Sequence, residues 1–366
     1  MNRRSFATLA LLGLPCLALA DWTVFRGSPE GTGVATAKLP DQLAERWTFK
    51  TGNAIEGTPV VANGIVYVGS ADKNCYAIDL KTGQQKWKVS LGSAVLASPA
   101  LRKDRLYVGT VDGKLYCLNI ADGSKVWFFD VEGGALKSGV NFHGENILLG
   151  SRDIPLYCIG PDGKKVWEFP IDGGSNGTPT VVGDRTFVAG CDSVFHILDA
   201  KTGKEIANLN IDDQAAATTA VFGERAYFGT MGKSQMLAID LKAVKRLWTF
   251  EAERRQQPFY SSAAVTEKLV IVGSQDKRLY GIDRETGKEK WSFVTDGQVD
   301  GSPVVVGERI YVGCLSNDGN FYVLDLKGKK IQELNLDSAV TGSPAVGPDC
   351  ILVGTDKGTL YCLGAK

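Results

Sequence analysis

The chain is poor in the residues that usually carry chemistry. It has two histidines, His143 and His196, and three methionines. No C-x-x-C pair occurs, so zinc and c-type haem sites lack ligands. No phosphate-loop motif is present, which removes a common route to nucleotide binding. Charge of one sign is missing too: 41 basic residues balance 41 acidic ones. Without a basic excess there is no electrostatic footprint for nucleic acid. Without an acidic tail there is none for a basic partner. The apolar run Leu9–Leu19 is too short to span a bilayer, so no transmembrane segment is expected.

What is abundant is glycine, 43 residues, and it recurs in register. Residues 57–91 read as four short strands. Thr58–Ala62 is apolar, Asn63-Gly64 is a two-residue hairpin signal, and Ile65–Gly69 is β-branched and aromatic. Cys75–Asp79 is a third strand, and Thr82-Gly83 turns into a fourth that carries Trp87. The same text returns along the chain. One slot holds Trp87, Trp127, Trp167, Ala207, Trp248, Trp291 and Gln332, at steps of 40, 40, 40, 41, 43 and 41 residues by subtraction. The strand-end slot holds Asp79, Asn119, Gly160, Asp199, Asp240, Asp283, Asp325 and Gly364, which makes eight copies of the first three strands. The missing fourth strand is found at the front, where Glu45–Lys50 repeats the W-x-F pattern around Trp47, 40 residues before Trp87. A period of about 40 with four strands per unit is a β-propeller signature. The expectation is an all-β, eight-bladed β-propeller over residues 46–366, each blade a four-stranded antiparallel sheet, closed by the N-terminal strand. Trp47, Trp87, Trp127, Trp167, Trp248 and Trp291 are expected to pack each outer strand on the next blade, with looser packing at Ala207 and Gln332.

Residues 1–20 read as a cleavable signal peptide. Arg3 and Arg4 are basic, Leu9–Leu19 is apolar, and Ala18-Leu19-Ala20 is a cleavage signal before Asp21. The Arg pair also fits a twin-arginine export signal. Pro15 before Cys16 does not suit lipidation. The chain is therefore expected to be exported, periplasmic or secreted. Residues 21–45 read as a strap, with Trp22 and Phe25 seeking burial against a propeller face. Of the eight cysteines, seven follow the leader. Cys117, Cys158 and Cys362 share a small apolar core slot, and equivalent slots on adjacent blades lie too far apart for a disulfide. All seven are expected to be free, acting as small hydrophobes.

The repeat G-[ST]-P … [VI]-Y-V-G-[ST] … D-G-x-L-Y … T-G-x-x-x-W resembles that of pyrroloquinoline-quinone-like (PQQ-like) propellers. It stands here as Gly57-Thr58-Pro59, Val66–Ser70, Asp112–Tyr116 and Thr286-Gly287 through Trp291. The length and layout are similar to the outer-membrane protein assembly factor B type of periplasmic propeller. The opening Asp21-Trp22-Thr23-Val24-Phe25-Arg26-Gly27 is similar to the start of related exported propellers. The resemblance implies a protein or peptide partner and no cofactor. It implies, as the alternative, a quinoprotein dehydrogenase holding PQQ with Ca²⁺. Such enzymes carry a vicinal Cys-Cys pair, which this chain lacks, and are much longer.

Two residues before each inner strand's [ST]-P slot lie Glu56, Leu96, Lys137, Asn176, Ala216, Tyr260, Asp300 and Thr341. These should ring one mouth of the channel. Glu56, Asp300 and Asn176 offer oxygens of the kind Ca²⁺ takes, or else form a hydrated polar rim. The loop 251–260 is longer than its counterparts and places Arg254, Arg255, Phe259 and Tyr260 over the same mouth. Loops on a rigid ring are where binding resides. The candidate partner site is therefore Glu56, Lys137, Asn176, Arg254, Arg255, Phe259, Tyr260 and Asp300. No catalytic set and no metal site is assigned. His196 reads as a packed core residue, and a monomer is expected. The functional expectation is a non-enzymatic binding scaffold in cell-envelope assembly.

Overall fold

Asn63 and Gly64 take φ of 51° and 74°. Two successive positive values give the tight turn whose twist matches that of its flanking strands. The turn joins Val60–Ala62 to Ile65–Gly69, and Asn74–Asp79 and Gln85–Ser90 complete blade one. The computed structural model describes residues 21–215, 217–253 and 256–366; the expected leader, Ala216, Arg254 and Arg255 lie outside the described residues. Eight antiparallel sheets follow one another around a ring, and among the described residues there is no helix. No helix is therefore long and apolar enough to cross a membrane.

The ring closes between the two ends of the chain. Ala44–Lys50 pairs antiparallel with Thr359–Gly364, Trp47 lying opposite Cys362. This supplies the outer strand of blade eight, whose other strands are Ala345–Val346 and Cys350–Gly354. Blade seven gains a fifth strand, because Val34–Ala35 of the strap pairs parallel with Val304–Val306.

In every blade the pairing of the third and fourth strands slips by one residue at the same place. In blade one Ala77 faces Trp87, Ile78 faces Gln85, and Lys86 is left over. The same bulge leaves out Val126, Val166 and Ile206 in the next three blades. A bulge bends the strand and re-aims the following side chain. Here that side chain is the Trp of the slot.

Each Trp then locks one blade to the next. The indole N–H of Trp87 donates to Ile120 O at 2.8 Å, and that of Trp47 to Leu80 O at 2.9 Å. Trp127, Trp167, Trp248 and Trp291 repeat the bond onto Pro161, Ala200, Arg284 and Leu326. The ring lies on the glycine of the next blade's turn: a Cβ on Gly83 would stand 2.8 Å from the Trp47 ring. The two slots without Trp are compensated rather than loose, which corrects the expectation. Beside Ala207, the glycine position of the following turn holds Val244, at φ 49°, and the two pack in one cluster. At Gln332 the side-chain amide grips the strap instead, accepting from Leu43 N at 2.8 Å and donating to Leu43 O at 2.7 Å.

The core is a chain of inter-blade clusters. One joins Tyr107 and Cys117 of blade two to Phe142 and Tyr157 of blade three. All seven cysteines after the leader are buried and unpaired.

Candidate functional site

The inner strands meet the axis through the Ser/Thr slot. Thr58, Ser98, Thr178, Thr218, Ser262, Ser302 and Ser343 line a central cavity of about 170 Å³; blade three places Gly139 there. Six of these hydroxyls accept a backbone N–H. Thr58 N donates to Ser98 Oγ at 2.9 Å, Gly139 N to Thr178 Oγ1 at 3.0 Å, and Thr178 N to Thr218 Oγ1 at 2.8 Å. Thr218, Ser262 and Ser302 continue the series onto Ser262, Ser302 and Ser343. The ring is thus stitched from blade to blade around the channel.

About three residues deeper, or roughly 10 Å along a strand, the channel is shut by the strap. An inner strand is an edge, and its outward N–H groups need acceptors. The strap supplies one to each of six blades, accepts from a side chain of blade three and donates to blade eight. Thr23 O accepts from Leu101 N at 2.7 Å, Pro29 O from Val181 N at 2.9 Å, and Glu30 O from Val221 N at 2.8 Å. Thr32 O and Gly33 O accept from Val265 N and Val305 N, both at 2.9 Å. Trp22 exchanges both backbone bonds with Val61, Asn141 Nδ2 donates to Pro29 O, and Lys38 N donates to Pro348 O. Residues 22–38 therefore visit all eight blades. Of the two aromatics expected to bury here, Trp22 is buried in the blade-one and blade-eight core, while Phe25 is half-buried and lines the cavity.

Arg26 is the residue that sequence reasoning missed. It is 1 % exposed. Its neighbour Phe25 packs beside Gly139 of blade three, yet its Nη2 donates to Ala263 O at 3.1 Å and Pro303 O at 2.6 Å, on blades six and seven. The side chain thus crosses the axis directly beneath Ser262 and Ser302. Burial pushes its pKa down to about 9. A charged residue in a strap reads as solvated. The available signals were the D-W-x-x-F-R-G motif and Gly33, where any side chain would collide with the guanidinium.

The opposite end is open, and its rim holds Glu56, Leu96, Lys137, Asn176, Tyr260, Asp300 and Thr341. Five of the eight candidate residues are therefore brought together: Glu56, Lys137, Asn176, Tyr260 and Asp300. Burial, then the Asp356 charge, raises the Glu56 pKa above the usual carboxylate value, with Lys137 opposing. Burial also raises that of Asp300, against hydrogen bonds from Gln275 Nε2 at 3.3 Å to each oxygen. Tyr260 is 39 % exposed. Phe259 does not reach the mouth, contrary to expectation. It is fully buried and packs on Phe250 and Tyr280. It fills the apolar slot that Ile55, Val95 and Leu136 fill in other blades. Arg254 and Arg255 lie outside the described residues.

Neither histidine stands at this mouth. His196 is buried in the third strand of blade four, between Asp192 at 2.9 Å and Glu205 at 2.7 Å. It replaces the Tyr that elsewhere bonds the same Asp slot, as Tyr76 does Asp72 at 2.5 Å. His143 meets Asp184 on an exposed hairpin. A calcium ion at the rim would need Glu56, Asp300 and Asn176 together. The Asn176 carboxamide is instead turned to Ala215 O at 2.9 Å, with Cys191 and Met231 beside it. Among the described residues no three His, Cys, Asp or Glu side chains converge as metal ligands. The rim residues present do not form a calcium cage, and no chemistry is derived through a bound quinone.

Known proteins share this architecture. The BamB structure from Moraxella catarrhalis superposes with a TM-score of 0.76 at 17 % identity, over 88 % of this chain and 98 % of that one. The quinohemoprotein alcohol dehydrogenase from Comamonas testosteroni does so with a TM-score of 0.80 at 15 % identity, over 94 % and 80 %. These are likenesses of fold. A stretch of 112 residues, 29 % of this chain, is 30 % identical to the Beta-alanine-activating enzyme of Danio rerio. The chain spans about a tenth of the length of the curated relatives it matches. The family model described as outer membrane protein assembly factor BamB matches residues 31–141 and 125–366. With that match laid over all eight blades, the chain belongs to this family of PQQ-like repeat propellers.

Proposed function

We propose that this protein is an exported, non-enzymatic binding platform in cell-envelope assembly, whose open mouth takes a protein or an extended peptide. The observation that carries this reading is the asymmetry of the channel. The strap shuts one end with a hydrogen bond to each blade. The other end presents a rim residue from each of seven blades on a rigid ring. Family membership supports it, as does a BamB neighbour. Export rests on Arg3, Arg4 and the Ala18-Leu19-Ala20 signal.

The contact residues are Glu56, Lys137, Asn176, Tyr260 and Asp300, with Arg254 and Arg255 of the long loop. Interfaces draw much of their energy from a few Arg and aromatic anchors. The test places a photo-crosslinking residue at Tyr260 and, as a control, at Phe128 on the exposed outer wall. The expected result is a discrete adduct from Tyr260 only, lost when Arg254→Ala and Arg255→Ala are added. Equal labelling from both positions would sink the reading.

The second reading is a quinone-dependent oxidoreductase, favoured by the fold likeness to the quinohemoprotein enzyme. Adding PQQ with Ca²⁺ should then give a co-purifying quinone absorbance and dye reduction with alcohols. Neither signal is expected on the platform reading.

A further inference from the structure

We propose that the open mouth receives a lysine side chain of an extended partner peptide, its ammonium held by the carboxylates of Glu56 and Asp300 and by the hydroxyls beneath them. This rests on the platform reading and adds the chemistry of the partner. The first observation is the order of the rim. Tyr260, Asp300, Thr341, Glu56 and Leu96 follow one another on blades six, seven, eight, one and two. Two acids therefore stand two blades apart, with Tyr260 on one flank and Leu96 on the other. Asp356, to which the Thr341 hydroxyl donates, adds its charge to that of Glu56. Asp300 has only the Gln275 amide, and Glu56 feels the charge of Lys137 without an ion pair. Burial holds both rim carboxyls above their usual range, the mark of negative charge that lacks a counterion. The wider face has the same sign. Its loops, those joining second to third strands and one blade to the next, carry twice as many acidic as basic residues, in a chain that is balanced overall. Such a field steers a cation to the mouth.

The second observation is independent of the acids. Two residues along each strand from Asp300, Thr341 and Glu56 stand Ser302, Ser343 and Thr58, each more than nine-tenths buried and lining the same cavity. The Ser302 and Ser343 hydroxyls each accept one backbone N–H, which leaves each a second lone pair. The Thr58 hydroxyl meets no hydrogen-bond partner among the described residues, although Thr58 is only 2 % exposed. An ammonium is a compact charge with three rotatable donors and no acceptor. Acceptors spread over three blades, carboxylates above and hydroxyls below, suit it, and charge-assisted bonds of that kind are the strong ones. At about 170 Å³ the cavity has room for roughly five waters at ~30 Å³ each, and so for the four methylenes and the ammonium of one lysine. The stem of such a side chain lies well against apolar surface, which Leu96 and Tyr260 offer at the entrance. Lys137, on blade three, is the one rim group that opposes the charge.

The test uses the mature protein and a small probe, lysine blocked as its Nα-acetyl methylamide, with the norleucine counterpart as its uncharged control. Both are titrated by calorimetry at neutral pH and constant ionic strength in sodium chloride. The expected result is saturable binding of the lysine probe, with the norleucine probe tenfold or more weaker. Glu56→Gln combined with Asp300→Asn should weaken the lysine probe tenfold or more, and Thr58→Val severalfold with no change of charge. Lys137→Met should strengthen it severalfold, a gain that damage to the fold cannot produce. Exchanging sodium for potassium should leave binding unchanged; displacement by potassium alone would assign the mouth to an inorganic cation and overturn the proposal. So would a wild type that does not saturate, equal binding of the two probes, or a double variant that binds as the wild type does. The outcome is separate from that of the platform reading. A crosslink from Tyr260 without lysine binding would remove the lysine and keep the platform, whereas lysine binding without a crosslink would keep the site and remove the platform.

Discussion

Trp22→Ala tests whether the strap is part of the folded ring or merely lies on it. Trp22 is 2 % exposed and belongs to the cluster of Leu43, Ile55, Val61 and Val353. Its backbone exchanges two bonds with Val61, at 2.8 and 2.9 Å, and its indole covers Gly27. Truncating a buried Trp to Ala costs about 3–5 kcal/mol. Unfolding entropy of about 2.1 cal/mol/K per residue gives roughly 0.7 kcal/mol/K for a chain of this length. The midpoint should therefore fall by about 4–7 °C. Trp22→Phe separates packing from hydrogen bonding. The indole N–H is buried with no partner, so deleting it returns about 1–3 kcal/mol of desolvation against the area lost. The Phe variant should melt within about 1 °C of wild type by that offset. Differential scanning calorimetry reads both. An Ala variant within a degree of wild type, a Phe variant as weak as the Ala variant, or a separate early transition for the strap would each refute the reasoning.

Deleting residues 21–50 removes the strap and the outer strand of blade eight, and should abolish the single cooperative melting transition seen for the mature chain. Ala207→Trp alone should collide with Val244, and Val244→Gly alone should lose packing; together they rebuild the Trp–Gly lock, so a double-mutant cycle should show favourable coupling of about 1–3 kcal/mol. Thiol titration should find seven reactive groups in guanidinium without reductant. Few should react in the native protein, where burial pushes Cys75 and Cys158 up to about 12; a denatured count of five would place a disulfide, first of all between Cys350 and Cys362, neighbouring thiols that shift one another's pKa in opposite directions. Glu56 and Asp300 have folded pKa values raised by burial. The native state therefore holds their protons more tightly, and their contribution to stability falls as pH rises from the ordinary carboxylate range through the raised values. Glu56→Gln and Asp300→Asn should each raise the midpoint at pH 7 relative to wild type, with the gain vanishing below pH 4, as melting curves across pH would show.

The blades were legible because each strand writes its own period and the unit repeats eight times. Asn63-Gly64 announced its turn, and Trp47 announced the closing strand, because local chemistry determines both. The bulges were not legible. Every copy contains one, so slot counting from repeat to repeat absorbs the extra residue without trace. Phe259 was misread because the longer loop before it hid its register. Counted back from Ser262, as Ile55 is from Thr58, it falls on the apolar slot. The rim was legible by the same counting, whereas the strap was not. Its path has no periodicity, since it takes its conformation from the edges it crosses, and nothing local to Arg26 says that a cation will be buried. The Ser/Thr positions were read as strand starts; their part in stitching one blade to the next emerges only when seven of them converge on one axis.

The strap also dictates when the molecule can be finished. Residues 22–38 are made early, yet their acceptor and donor partners are distributed from Val61 to Pro348. The first residues of the ring are thus held by the last. Contacts of such separation form slowly because the loop between them must close first. A chain that stops short of blade eight has blades but no hoop, and a chain that lacks a blade has a strap that cannot meet its ends. The N-terminal segment works as an inspection of completeness: it docks fully only on a ring that has every blade in place.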